Sequence, residues 1–300
     1  MSVQHFLKLD DLTNTDLKDL IERAIELKKL QKQGAIFQPP KNKSLAMLFT
    51  KSSTRTRVSF EVGMRQLGGG TLNLSTNDTQ IGRGEPIEDT ARVISSMVDG
   101  IMIRTDSHCL IETFAENSSV PVINGLTDSY HPCQLLADMQ TLMEQRGHIE
   151  NAKIAWIGDG NNVCHSFMNA ARLFNFKLHI ATPKGYEPNT EITELNRDHL
   201  RFYESASEAV RDCDVVVTDT WASMGQEQQK NERKLAFKDY CVDAKLFELA
   251  DKNALFMHCL PAYRGMEVST EVIDGPNSVV FAEAENRLHA QKALLEFLLG

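Results

Sequence analysis

Ser44 to Gly70, SLAMLFTKSSTRTRVSFEVGMRQLGGG, is the stretch whose reading decides the fold. Ser44 to Thr50 is an apolar run of strand length. From Thr54 to Leu67, the residues Val58, Phe60, Val62, Met64 and Leu67 recur at helical intervals, and three glycines then offer a stop. The junction is Lys51-Ser52-Ser53-Thr54-Arg55-Thr56-Arg57, so hydroxyls and three cations gather where a helix begins. A helix N-terminus presents unpaired backbone N–H groups and a partial positive charge, which makes this junction a phosphate cradle. Ordinary capping by one Ser or Thr, with solvated cations beside it, explains one hydroxyl but not the cluster. The glycines and the Gly-Lys-Ser/Thr ending of a Walker A loop are missing.

Outward from this junction, strand and helix patterns alternate. Leu17, Leu20, Ile21, Ala24, Leu27 and Leu30 form the apolar stripe of a helix opened near Asn14 or Thr15 and closed at Gly34. Strands are expected at Thr71–Ser75, Ile101–Ile103 and Val120–Asn124, with helices from Pro86 to Gly100 and from Leu135 to Arg146. The polar loop Thr76–Glu85 is too hydrophilic for a core. In the second half, Lys153–Ile157, Leu178–Ala181, Val215–Thr218, Leu255–His258 and Val279–Phe281 read as strands, separated mostly by helical segments such as Ser166–Phe174 and Ser207–Arg211. The expected fold is α/β, with two doubly wound parallel-sheet domains joined by long helices and an active site in the crevice between them. The first domain runs over 1–147, with a C-terminal helix, 284–300, packing back on it; the second runs over 148–283.

A chain of 300 residues with 42% hydrophobic content suits two domains of ordinary size. The net charge of −9 argues against nucleic acid as a partner and against attraction to an anionic membrane, so an anionic substrate needs a local basic site. Six scattered cysteines, with no C-x-x-C pair, favour reduced thiols and a cytoplasmic location over a zinc ribbon or disulfide framework. The N-terminus has neither a secretory nor a transit pattern, and no apolar run is long enough to cross a bilayer.

In open parallel sheets, ligands bind beyond the carboxyl ends of strands. Arg104, His131 with Pro132, Cys133 and Gln134, the turn Gly158–Asn162, Asp219 and Cys259 all follow expected strands. Gly158-Asp159-Gly160 lacks the third glycine of a dinucleotide fingerprint, and no acidic residue ends the next strand, so a nicotinamide enzyme is a distant reading. Taken singly, His131 could be a structural histidine, Asp219 a turn cap and Cys259 a small buried hydrophobe. Near Arg104 and Gln134, His131 completes a set of donors for a carbonyl oxygen.

Ser53-Thr54-Arg55-Thr56-Arg57 resembles the carbamoyl-phosphate motif of the aspartate/ornithine carbamoyltransferase family, and the likeness runs over nearly the whole chain. His131-Pro132-Cys133-Gln134 and Glu285-Asn286-Arg287 are similar to the corresponding family segments. Ser223-Met224-Gly225 and His258-Cys259-Leu260-Pro261 resemble features of the family's ornithine-type members. The resemblance implies transfer of a carbamoyl group from carbamoyl phosphate to the δ-amine of L-ornithine, with no cofactor and no metal, in a homotrimer. It implies that Ser53, Thr54, Arg55, Thr56, Gln80, Arg104, His131, Pro132, Cys133, Gln134, Cys259, Leu260 and Arg287 bind carbamoyl phosphate. By the same resemblance Asn162, Asp219, Ser223 and Met224 hold ornithine, while Arg55, Arg104, His131 and Cys259 serve catalysis. Carbamoyl transfer to another amine, such as aspartate, N-acetylornithine or putrescine, and a non-catalytic phosphometabolite sensor remain open alternatives at this point.

Overall fold

The computed structural model describes residues 3–35, 42–75, 84–222 and 230–300. The chain divides into two units, Met1–Gln140 with Glu285–Gly300, and Thr141–Ala284.

In the first unit the order is α1 (Asn14–Lys32), β1 (Ser44–Phe49), α2 (Thr54–Gln66), β2 (Gly70–Ser75), α3 (Ile87–Ser95), β3 (Gly100–Arg104), α4 (His108–Glu116) and β4 (Val122–Leu126). Helix α5 (Pro132–Arg146) then leads out of it. The four strands form a parallel sheet in the order β2-β1-β3-β4. Strand β1 is buried along Leu45–Phe49, as a strand covered on both faces must be. Chain order reverses direction at β1, so the switch point lies between β1 and β3, where Phe49 pairs with Arg104. The sequence therefore delivers the Lys51–Arg57 junction and Arg104 to neighbouring strand ends.

The second unit continues with β5 (Lys153–Ile157), α6 (Asn162–Leu173), β6 (Lys177–Ala181), α7 (Thr190–Asn196), β7 (Leu200–Phe202), α8 (Ala206–Ala209) and β8 (Val215–Thr218). It ends with α9 (Lys230–Ala236), α10 (Ala244–Phe247), β9 (Leu255–Met257), α11 (Thr270–Ile273) and the start of α12 (Val280–Leu299). The sheet is parallel, in the order β7-β6-β5-β8-β9. Its switch point lies between β5 and β8, where Ile157 pairs with Thr218. Helices α5 and α12 each contain a unit boundary.

Several expectations need correction. Val279–Phe281 is no strand: Ser278 makes one isolated bridge to Phe256, and α12 begins at Val280. Val280 and Phe281 instead open a twenty-residue helix rich in Ala, Leu and Glu, so helix propensity outweighs the short β-branched run. Helix α1 is capped by Thr13, one residue earlier than expected, through a reciprocal box with Asp16. Helix α4 and strand β7 add elements that hydrophobic pattern did not reveal. Strand β7 is short and exposed, and so lacks a buried run to betray it. Val58 is 54% exposed, while the inward face of α2 is Thr56, Ser59, Phe60, Gly63 and Met64. Two hydroxyls thus sit where the apolar pattern leads one to expect aliphatic packing.

Candidate functional site

At the first switch point, Ser53 is the N-cap of α2 but makes no side-chain capping hydrogen bond, unlike Ser107 of α4 and Asn161 of α6. Thr56, one turn in, is buried at 1% exposure, and its hydroxyl accepts from Arg104 Nη1 at 3.2 Å and from Arg287 Nη2 at 3.3 Å. Two guanidinium groups thus converge on one hydroxyl. Arg287 also donates to Gln134 Oε1 at 2.6 Å, and Gln134 Nε2 donates to buried Asp138 at 2.8 Å. The carboxylate of Asp138 fixes the amide so that its oxygen, not its nitrogen, meets Arg287. Arg104 is held from its backbone side, where its carbonyl accepts from Thr50 N at 3.0 Å and Thr50 Oγ1 at 3.2 Å.

His131, 4% exposed, precedes α5, whose first residue is Pro132. Burial holds the pKa of His131 well below the ordinary histidine value, and the positive charges of Arg287, Arg104 and Arg55 press it further down. At neutral pH it is therefore an uncharged imidazole, a hydrogen-bonding group that adds no charge of its own. The same shift places the three arginines within electrostatic reach of one point. Cys133 points elsewhere: its thiol donates to the Asn124 carbonyl at 3.3 Å, and burial pushes it up to about 12.

The other two cations of the junction have their own partners. Lys51 pairs with Asp106 at 2.7 Å, and the Arg57 guanidinium lies 4.9 Å from the centroid of the Phe49 ring. The cluster of three cations read from sequence thus leaves Arg55 as the member aligned with Arg104 and Arg287. Ser53 is half-buried and Thr54 is exposed.

At the second switch point, Asp219 follows β8 and is 8% exposed. Its Oδ2 accepts from Asn161 Nδ2 at 2.8 Å, and its Oδ1 accepts from Thr220 N at 2.7 Å and from Cys259 Sγ at 3.2 Å. Asn161 caps α6 with its own oxygen, accepting from Val163 N and Cys164 N. One asparagine therefore links a carboxylate to a helix N-terminus, and Asn162 is the first residue of that helix. His258, 0% exposed, holds the segment after β9: its Nδ1 accepts from Leu260 N at 2.9 Å, and its Nε2 faces Glu267 at 3.3 Å. Leu260 sits at φ +55, a left-handed conformation that a side chain raises in energy and that this hydrogen bond helps hold.

Asp219, His258 and Cys259 offer potential metal-ligand atoms within 4.8 Å of one another. Both nitrogens of His258 are engaged by Leu260 and Glu267, outside the trio, and within it Cys259 Sγ donates to Asp219 Oδ1. A second acid lies in the adjoining turn. Asp159 is paired with Arg233, which also donates to the Trp221 carbonyl and stacks on Tyr186 and Phe237. Burial raises the Asp159 carboxyl to about 6, with Arg233 opposing the rise and Asp219 adding to it.

Gln80, Ser223 and Met224 lie outside the described residues. The structure brings Thr56, Arg104, His131, Gln134 and Arg287 together at one strand end, and Asp219 and Cys259 at another. Sequence reading placed Asn161 in the strand-end turn but not its bridging role, and missed Asp138, Arg233 and Glu267 as supports. The only available signal was Asn161 at a strand-to-helix turn, which is where an N-cap belongs.

Residues 4–144 match the family described as aspartate/ornithine carbamoyltransferase, carbamoyl-P binding domain, and residues 150–298 match its Asp/Orn binding domain. A curated ornithine carbamoyltransferase of Hydrogenovibrio crunogenus is 61% identical over 300 residues, covering 100% of this chain and 99% of that protein. One from Nitrosococcus oceani is 62% identical over 299 residues, covering 100% and 98%. Among solved structures, an ornithine carbamoyltransferase from Pyrococcus furiosus superposes with a TM-score of 0.96 at 46% identity, over 100% of this chain and 98% of that one. Another, from Burkholderia thailandensis, gives 0.93 at 49% identity, over 99% of each chain.

Proposed function

The chain belongs to the aspartate/ornithine carbamoyltransferase family, and on that premise we infer that it transfers the carbamoyl group of carbamoyl phosphate to the δ-amine of L-ornithine, giving L-citrulline and phosphate. The observation that carries the residue assignments is the convergence of Arg104 and Arg287 on the Thr56 hydroxyl, with Arg55 and an uncharged His131 beside them.

The reaction needs no covalent enzyme intermediate. The neutral δ-amine attacks the carbonyl carbon, a tetrahedral species forms, the C–O bond to phosphate breaks, and the amine's proton leaves with the phosphate. Negative charge grows on the carbonyl oxygen and on the departing phosphate, so donors fixed at those two places lower the barrier most. Ser53, Thr54, Arg55 and Thr56, with the uncapped N-terminus of α2, bind the phosphate. Arg104, His131 and Gln134 surround the carbamoyl group, and Arg287 joins them, braced by Gln134. An uncharged His131 donates to the growing oxyanion without competing with the arginines for the phosphate. Cys133 and Pro132 shape the start of α5, and Gln80 completes the donor set.

Asp219 receives the α-amino group of ornithine, with Asn162, Ser223 and Met224 holding the rest of the amino-acid end. Cys259 and the Leu260 carbonyl act near the attacking amine. Six free thiols favour a cytoplasmic setting, and arginine metabolism is where citrulline formation belongs. No helix of the described residues is long and apolar enough to cross a membrane. A homotrimer is the assembly the family resemblance implies, and exposed Val58, Leu72, Val93 and Met97 in the first unit suit a buried contact in such an assembly. Phosphate release from carbamoyl phosphate, measured with ornithine, aspartate, N-acetylornithine and putrescine in turn, tests the reading. Ornithine alone should support rapid release with stoichiometric citrulline; a preference for another amine, or binding without turnover, overturns it.

A further inference from the structure

Away from these residues, the first unit contains a cavity of about 200 Å³ lined by Leu27, Leu30, Gln31, Ala35, Gln66, Leu67 and Lys292. Lys292 is on α12, five residues beyond Arg287, and is buried at 4% exposure. Helices α2 and α12 approach closely there: a Cβ on Gly63 would lie 3.2 Å from Lys292 Cγ. Its Nζ donates to Gln31 Oε1 at 2.6 Å and to Gln66 Oε1 at 3.0 Å, and no carboxylate among the described residues pairs with it.

Two acceptors suit a neutral amine. A tetrahedral nitrogen bonded to Cε and donating twice has one position left, which is a third N–H in the ammonium form and a lone pair in the amine. Among the described residues no third side chain accepts from Nζ, and Lys292 lines the cavity together with both of its glutamine partners. Burial alone lowers the Lys292 pKa from 10.5 to about 8, in the range of an α-amino group rather than a lysine.

We propose that Lys292 is a modification site whose amine adds isocyanic acid, the isocyanate formed when carbamoyl phosphate eliminates phosphate in water, to give an N-carbamoyl-lysine seated in this cavity. In the step, the amine lone pair forms the new N–C bond, the C=N π pair moves to the isocyanate nitrogen, and a proton passes from the amine to that nitrogen. Nothing is oxidised and no group leaves. The electrophile has three heavy atoms, well within the cavity, and the product keeps an N–H for one glutamine. Only the source of the electrophile rests on the activity proposed above; the reactivity of the amine does not.

The test treats the full-length protein with isotopically labelled cyanate and follows each lysine by peptide mass spectrometry. Cyanate reacts as its conjugate acid with neutral amines, so at fixed total cyanate the rate is level below the amine's pKa and declines above it. Near neutral pH, Lys292 should react about tenfold or more faster than exposed Lys234 and Lys252, and its lead should shrink as the pH passes about 8. Gln66→Glu, which places a carboxylate beside Nζ and keeps it charged, should erase the lead while a thermal melt shows the protein folded. Equal rates for Lys292 and Lys234 in the wild-type protein, or a lead untouched by Gln66→Glu, overturn the proposal. A protein that forms no citrulline yet labels first at Lys292 would refute the proposed activity and leave this site standing.

Discussion

The two switch points are built alike and charged oppositely. In the first unit, Arg104 and Arg287 meet at Thr56, and Arg55 adds to the positive potential felt by His131. In the second, Asp219 gathers Asn161, Thr220 and Cys259 around a carboxylate, with Asp159 close enough to feel its charge. Parallel sheets supply the same place twice, at the carboxyl ends of adjacent strands, and side-chain chemistry decides what each place attracts. A cationic pocket suits an activated phosphate, and an anionic one suits an ammonium group.

The comparison breaks most severely if the cationic end does not govern transition-state charge. Arg55→Ala should lower kcat/KM by about a thousandfold, or about 4 kcal/mol, because a preorganised donor to developing charge is lost. Thermal stability should change little, since Arg55 is only half-buried. Steady-state kinetics with carbamoyl phosphate and ornithine, beside a melting curve, checks both halves. An active variant removes Arg55 from the chemistry.

Asp219→Asn probes the opposite pole and should act more weakly. It keeps the shape and one acceptor but loses the charge, so the KM for ornithine should rise by about thirtyfold, near 2 kcal/mol, the scale of one charge-assisted hydrogen bond. Affinity for carbamoyl phosphate, measured by calorimetry without ornithine, should stay within about twofold. If both affinities fall together, the two poles are not separate binding elements.

How much of this was legible follows from what sets each feature. The β1 to α2 junction could be read because residue type and spacing alone place hydroxyls and Arg55 at a helix start. The partners of Lys51 and Arg57 could not: Asp106 and the Phe49 face reach them only through tertiary packing. Arg233 and Asp159 are 74 residues apart, and no local pattern connects them. Likewise Asp138 sits one turn beyond Gln134 and reads as an ordinary helix-surface acid until its burial at 2% exposure is seen.

Titration sharpens the contrast further. Burial disfavours the charged form of a group at both switch points, and neighbouring arginine reinforces that shift at His131 and opposes it at Asp159. The pKa of His131 is depressed, so the unfolded chain takes up a proton first as the pH falls below about 6.5, and the stability this group contributes at neutral pH is lost on acidification. Asp159 has the reverse sign: its carboxyl is raised from 3.8 to about 6, so its contribution to stability is present at low pH and lost as the pH rises through about 6. NMR titration should find His131 neutral at pH values where exposed histidines are half-protonated, and Asp159 titrating above the exposed carboxylates. Arg233→Met should raise the Asp159 value again, because the cation that opposes protonation is gone; a fall would reverse the assigned role of Arg233.

The smallest expected effect falls on Arg57, and it tests whether the junction's cations act as one. Arg57 shares the motif with Arg55, yet its guanidinium lies over the Phe49 ring, and the residue is exposed. An exposed cation–π contact contributes about 0.5–1 kcal/mol, so Arg57→Ala should shift the melting temperature by a degree or two at most in a chain of this size. It should leave the KM for carbamoyl phosphate within about twofold. Should Arg57→Ala match Arg55→Ala in kinetic effect, the packing on Phe49 is not what fixes its role, and the whole cationic face of the helix start must be counted as one anion-binding surface.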